Sequence, residues 1–298
     1  MRTILEAFDH VNLVALGERH WSRQHSEFRK ALIRDPAFAR KVNDIVIEFG
    51  NPLHQAILDR YVVGEDVPAA DLRKVWQDTT QPGAWDSPVY EDFLVAVRVE
   101  NTTLPRDGQL RVLAGDYPID WSAITGPADL PDLDARDRSA AAIVQHEVLD
   151  RGRKALVLFG SAHVYRNRPG SVVDLLKDRA DAKCFVVAPV SEATIEPGLV
   201  EVDKSSVGDL EASEVLEKGC KRIKVVDGKP VLVDGKPVFI PVFESGVRVR
   251  DLTDALLSFG GERDESVEPP ASLYAGTEYG REVERRRRIL ISLMTPQK

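Results

Sequence analysis

Apolar residues fall along this chain in short unbroken runs, separated by stretches in which they recur every three or four positions. The runs "VNLVALG" from Val11, "NDIVIEFG" from Asn43, "LRVLAGDYP" from Leu110, "KALVLFGSAH" from Lys154 and "AKCFVVAPV" from Ala182 are rich in β-branched residues. Such runs suit strands covered on both faces. Between them, the stretch from Ser22 to Arg34 places Phe28, Leu32 and Ile33 on one helical face, and Pro36 follows its end. Helices are also expected around His54 to Val63, Ala69 to Trp76, Val89 to Asn101 and Ala135 to Arg151, the last with Ala141, Val144 and Val148 turned inward. Strands alternating with helices imply crossover connections, hence an α/β fold with a mostly parallel central sheet and helices on both faces.

Past Val190 the pattern changes. "VVDGKPVLVDGKPVFIPVF" carries a near-duplication in which each Asp-Gly is a tight-turn signal, so β-hairpins are expected there. "DALLSFGG" reads as one more core strand, "GGERDESVEPPAS" as a loop, and the last stretch as a helix. With no Gly-, Ser- or Pro-rich linker, the expectation is one domain over residues 1–298. Its core covers about 1–190, and an extension of hairpin, strand and helix covers 191–298.

Composition narrows the partners. Of 298 residues, 43% are hydrophobic and 30% charged, which is a globular balance. The net charge of −8 and the lack of a broad basic face argue against nucleic acid. The run Arg285 to Arg288 has Glu278, Glu282 and Glu284 nearby at helical spacing, so a solvated, salt-bridged helix is expected. Cys184 and Cys220 have no disulfide or metal spacing and read as packing residues. No stretch is long and apolar enough to span a bilayer, and "MRTILEAFDH" is not a secretory signal. Cytoplasmic location is the default expectation, although a removed leader would leave a chain like this one.

The candidate chemistry lies at the strand ends. "VALGERH", "VIEFGN", "VLAGDYP" and "VLFGSAH" each end near a glycine with an ionisable residue beside it: Glu18 and His20, Glu48, Asp116, and His163. In a parallel sheet all carboxyl ends share one edge, and ligands bind in the crevice outside it. The glycines would allow a sharp turn and a close approach of substrate. Glu48 interrupts an apolar run, where a charge must be paired, either by an arginine or in a functional site. Glu18 and His20 are two apart and so point to one side of an extended chain. Asp116, Tyr117, Tyr165 and His25 are candidate substrate-binding residues. Ser161 lacks the elbow motif of a nucleophile and reads as a small turn residue. The remaining histidines, His10, His54 and His146, read as decoration of helices or loops.

Two Gly-x-x-His motifs at strand ends and a glutamate closing the second strand resemble the superfamily of erythromycin esterases, ChaN-like haem-binding proteins and Tiki/TraB proteases. "LGERH" is similar to its opening motif, "VIEFG" to its glutamate strand, "LVLFGSAH" to its later histidine strand, and "RDRSAAAIV" to the helix before it. The similarity covers about Val11 to Val190. Erythromycin esterases place one more residue between the glutamate and histidine of the first motif, so the spacing here is closer to the Tiki and ChaN branches. Tiki-type proteins imply a metal-assisted peptidase, and ChaN-like proteins imply haem binding without turnover.

The expected activity is therefore hydrolysis of an ester, lactone or amide on a small-molecule or peptide substrate. His20 would be the base on water with Glu48 orienting it, His163 a second acid/base or oxyanion group, and Glu18 a holder of the water. In a variant, His20, His163 and Glu48 or Glu18 hold a divalent metal, Mn or Zn. The alternatives are a binding protein with haem held by His20, His163 or a cleft tyrosine, and a scaffold without turnover.

Overall fold

The computed structural model describes residues 1–190, 195–216, 221–223, 225–226, 229–230, 232–233, 236–237, 239–241, 243, 245–260 and 265–294. Each expected run becomes a strand: β1 is Leu13–Glu18, β2 Asp44–Ile47, β3 Arg111–Ala114, β4 Ala155–Gly160 and β5 Cys184–Val190. Beyond them come β6 (Gly198–Glu201) and six short strands, β7 to β12 (Lys221–Ile223, Val225–Val226, Lys229–Pro230, Leu232–Val233, Lys236–Pro237 and Phe239–Pro241). The last strand is β13, Ala255–Ser258. A seven-stranded sheet runs in the order β3-β2-β4-β1-β5-β13-β6. All its pairings are parallel except β13 with β6. The expected α/β architecture is therefore present, and β13 takes its place inside the main sheet.

Alternation within each strand explains the unbroken apolar runs. Val14 and Leu16 of β1, Ile45 and Ile47 of β2, and Leu156 and Leu158 of β4 face one core, shared with the helices Arg23–Ile33, Gln55–Val62, Ala69–Gln77 and Pro88–Asn101. Leu13, Ala15, Val46, Val157 and Phe159 face a second core beneath the helix Arg136–Ile143 and its continuation to Arg151. Every second side chain enters a different core, so no position in the strand can be polar without a partner.

The duplicated segment pairs as expected, β8 with β9 and β10 with β11, and its last strand β12 pairs with the preceding β7, all antiparallel. Its two Asp-Gly turns and Cys220 lie outside the described residues. The final helix, Glu278–Met294, departs from the solvated expectation. Arg286 is buried, pairing with Glu282 and with Asp78 (2.8 Å), while Arg285 donates to the carbonyls of Ile124 (2.6 Å) and Trp121 (3.0 Å). Only part of the arginine run is surface. Among the described residues no helix is long and apolar enough to cross a membrane.

Candidate functional site

The order β3-β2-β4-β1 sets side by side four strands that are far apart in sequence. Their carboxyl ends deliver Asp116, Glu48, Gly160 and Glu18, with Glu18 in register with Gly160. His20 and His163 lie two and three residues beyond β1 and β4.

Glu18 is buried and surrounded by donors. Its Oε1 lies 2.8 Å from His20 Nδ1 and accepts from the Tyr90 hydroxyl at 3.2 Å, and its Oε2 pairs with the Arg29 guanidinium. Burial lowers the Arg29 pKa to about 10, partly offset by Tyr90, which still leaves a cation at neutral pH. With three donors converging, Glu18 acts as an acceptor, so His20 carries its proton on Nδ1 and offers the Nε2 lone pair. The imidazole packs edge-on against Trp85, with centroids 4.8 Å apart, yet 44% of its side-chain surface stays open. Burial is the main cause of a lowered His20 pKa; Glu48 raises it and Arg136 lowers it.

Glu48 sits between the two imidazoles. Its Oε2 accepts the Gly160 N–H at 2.6 Å, and its Oε1 lies 3.1 Å from Arg136 Nη2 and 3.5 Å from His163 Nε2. Burial alone would push its pKa up; His163, His20, Arg136 and the Gly160 N–H outweigh that and hold it at about 2. Arg136 also donates from Nε to Asp116 (2.8 Å), which accepts from the Thr80 backbone and hydroxyl (2.7 and 2.8 Å). Burial works against the Arg136 charge, but Asp116 and Glu48 more than compensate and raise its pKa. His163 is anchored like His20, with its Nδ1 2.6 Å from Asp137 Oδ1.

The space is tight. A Cβ on Gly160 would lie 3.0 Å from His20 Nε2 and 3.3 Å from Glu48 Oε2, so both polar atoms crowd the Cα of this residue. None of the strand-end glycines Gly17, Gly50, Gly115 and Gly160 has a positive φ, contrary to the expected sharp turns. Each is needed for close packing: Cβ atoms on Gly17, Gly50 and Gly115 would come within 2.8 Å of Ser161, Ala114 and Phe159.

The site thus unites Glu18, His20, Glu48, Asp116 and His163 and departs from the expectation in four respects. Glu18, not Glu48, holds the His20 ring. Tyr165 is buried against Phe243 in a separate core, so it cannot line the cleft. His25 is buried against Phe259, its backbone N–H capped by Ser22, and offers no surface to a substrate. The metal-ligand set does not fit. Both carboxylates are turned to guanidinium groups, and among the described residues no group of three or more His, Cys, Asp or Glu side chains is arranged to hold a metal ion. Tyr117 is half-buried beside Asp116, and Ser161 is the small turn residue expected, its Oγ donating to the Glu18 carbonyl at 3.4 Å. Sequence reasoning missed Arg29, Tyr90, Arg136 and Asp137. The signal for Arg29 was its place among Phe28, Leu32 and Ile33 on an apolar helix face.

No protein-family model and no curated protein sequence matches the chain. Solved structures do. A histidine-to-asparagine mutant of the erythromycin esterase EreC, in its open conformation, superposes with a TM-score of 0.52 at 11% identity, over 90% of this chain and 95% of that one. The chain has an erythromycin esterase-like fold. A succinoglycan biosynthesis protein matches with a TM-score of 0.51 at 9% identity, over 87% and 90% of the two chains. The haem-binding ChaN of Campylobacter jejuni matches with a TM-score of 0.41 at 18% identity, over 65% and 87%.

Proposed function

We propose that this protein is a hydrolase in which His20 activates water against an ester, lactone or amide carbonyl. One observation carries the reading. Two imidazoles are each fixed through Nδ1 by a carboxylate, Glu18 at 2.8 Å and Asp137 at 2.6 Å, and both stand beside one buried glutamate. A structural histidine has no need of such duplication. Holding Nδ1 of His20 leaves its Nε2 for proton transfer, as a general base requires.

In this reading His20 Nε2 takes a proton from water as the oxygen attacks the carbonyl carbon. Arg136, a permanent cation with 16% of its side chain accessible, stabilises the negative charge that develops on the carbonyl oxygen. When the tetrahedral intermediate collapses, the leaving oxygen or nitrogen takes the proton that His20 Nε2 removed from water, which returns the ring to its neutral form. Glu48 supports the positive charge held on His20 in between.

The test is a screen of p-nitrophenyl esters, a γ-lactone and a peptide amide. His20→Ala is expected to lower the rate on any active substrate about 10²–10⁴-fold, the usual worth of general base catalysis. An undiminished rate in that variant would sink the reading. Titration with haem distinguishes the binding alternative: a Soret band lost in His20→Ala, with no hydrolysis of any substrate, would replace a hydrolase by a haem binder.

A further inference from the structure

Trp21, the residue after His20, holds a backbone conformation that a bulky side chain rarely adopts. Its φ is 64°, and among the described residues Asn167 is the other non-glycine residue with a positive φ. The cause lies in the short path from β1 to the helix Arg23–Ile33. The Ser22 N–H reaches back to the Arg19 carbonyl at 3.3 Å, so His20 and Trp21 are the central residues of a tight turn. A positive φ at the second central position is normally met by glycine or asparagine. A tryptophan stands there only when its surroundings over-determine it.

Three hydrogen bonds do so. The Trp21 N–H donates to the Tyr90 hydroxyl (3.4 Å), the indole N–H donates to the Ala84 carbonyl (2.6 Å), and the Trp21 carbonyl accepts the Val267 N–H (2.8 Å). Two of these partners lead to the groups on which the His20 ring rests. The same Tyr90 hydroxyl donates to Glu18, the carboxylate that fixes His20 Nδ1. Ala84 precedes Trp85, whose ring meets the imidazole at right angles. Val267 locks the arrangement from outside. Its carbonyl accepts from the Ser87 hydroxyl at 2.6 Å, so it joins the Trp21 turn to the loop that carries Ala84 and Trp85. The Glu265 carbonyl accepts the Arg23 N–H at 3.0 Å, and Ser266 forms an antiparallel bridge with Ser22.

We propose that Trp21 and Val267 are positioning residues of the histidine centre: residues 265–267 are a strap that keeps Trp21 left-handed, and the turn so held sets the His20 ring against Glu18 and Trp85. Both act through His20. The expected loss of rate rests on His20 being the base, whereas the position of the ring is observed without any substrate.

The test follows the His20 ring-proton titration in the full chain, beside kcat and KM on any substrate the wild type hydrolyses. Trp21→Ala removes the indole and disfavours a positive φ. The ring should then loosen and its titration rise towards the ordinary 6.5, with kcat down about tenfold and KM little changed. Trp21→Gly removes the same indole but adopts a positive φ freely, so it should recover most of the shift and of the rate. Val267→Pro deletes the N–H that holds the Trp21 carbonyl. It should shift the titration in the otherwise wild-type chain and much less beside Trp21→Gly, a comparison that serves equally where Trp21→Ala fails to fold. A titration unmoved in both Trp21→Ala and Val267→Pro would overturn the proposal, as would equal shifts in Trp21→Ala and Trp21→Gly. A ring displaced as described with an undiminished rate would support the positioning and count against His20 as the base.

Discussion

At His20 three effects meet, and their signs can be separated by substitution. Burial lowers the imidazole pKa below the ordinary 6.5, Glu48 pulls it up, and Arg136 pushes it down. The ring is therefore expected to titrate below pH 6.5 when followed by its own proton resonances. Glu48→Gln should move that titration still lower, and Arg136→Met should move it higher. A wild-type titration above 6.5, or one indifferent to both substitutions, would show that the ring does not feel the centre. The same pKa values set acid stability. The unfolded chain protonates His20 before the folded one does, so stability falls as the pH drops from 6.5 towards the folded value. Glu48, held at about 2 against an ordinary 4.5, contributes stability that is complete above 4.5 and lost as the pH falls through about 2. These residues were legible in the sequence because a charge at the end of an apolar run needs an explanation. Arg136 and Asp137 were not, because arginine and aspartate at a helix start are ordinary surface choices and only the tertiary structure turns them inward.

At the level of elements, the strand order rather than any motif assembles the centre. The chain leaves β1 for β2 and β3, then returns to insert β4 between β2 and β1, so residues from both Gly-x-x-His stretches become neighbours. The sequence implied a shared edge but not this order, since alternation of strands and helices is compatible with many windings. Gly160 is where the order is most exposed to test. Its φ of −52° suits any residue, so alanine meets no backbone strain. Its Cβ would, however, lie 3.0 Å from the His20 ring and 3.3 Å from Glu48. The half-open imidazole must give way, because Glu48 is fixed by Arg136 and the Gly160 N–H. Gly160→Ala is thus expected to cost about 1–2 kcal/mol in stability and to displace His20 from Glu48. The ring titration would then move away from its wild-type position while the far-ultraviolet circular dichroism stays the same. An unmoved His20 titration would contradict the packing described.

Over the whole molecule, the segment after residue 264 works as a clamp across the rim. Glu265 pairs with Arg23, the Val267 N–H donates to the Trp21 carbonyl at 2.8 Å, and the hydroxyls of Tyr274 and Tyr279 donate to buried Asp86 at 2.7 and 2.9 Å. Arg286 completes the clamp by joining the final helix to the loop that carries Asp78. The sequence disclosed a helix here and its Glu282 partner, but not that Arg286 is the buried one of the four arginines, because its other partners lie more than two hundred residues away. Arg286→Met keeps the length of the side chain and removes its charge. Asp78 retains 25% side-chain exposure, so the loss should fall below the full penalty of a broken buried pair, at about 2 kcal/mol. That corresponds to a fall of about 5 °C in Tm, whereas Arg288→Met, on the exposed face, should stay within about 0.5 kcal/mol. The pH dependence supplies the sign. Burial opposes the Asp78 charge, but His54 and Arg286 lower its pKa below 3.8, so its contribution is present above that value and lost in acid. The gap between wild type and Arg286→Met should therefore narrow as the pH falls through the folded pKa of Asp78. A gap that is equal at neutral and strongly acidic pH would mean that Arg286 acts through its stacking on Trp121 and not through its charge.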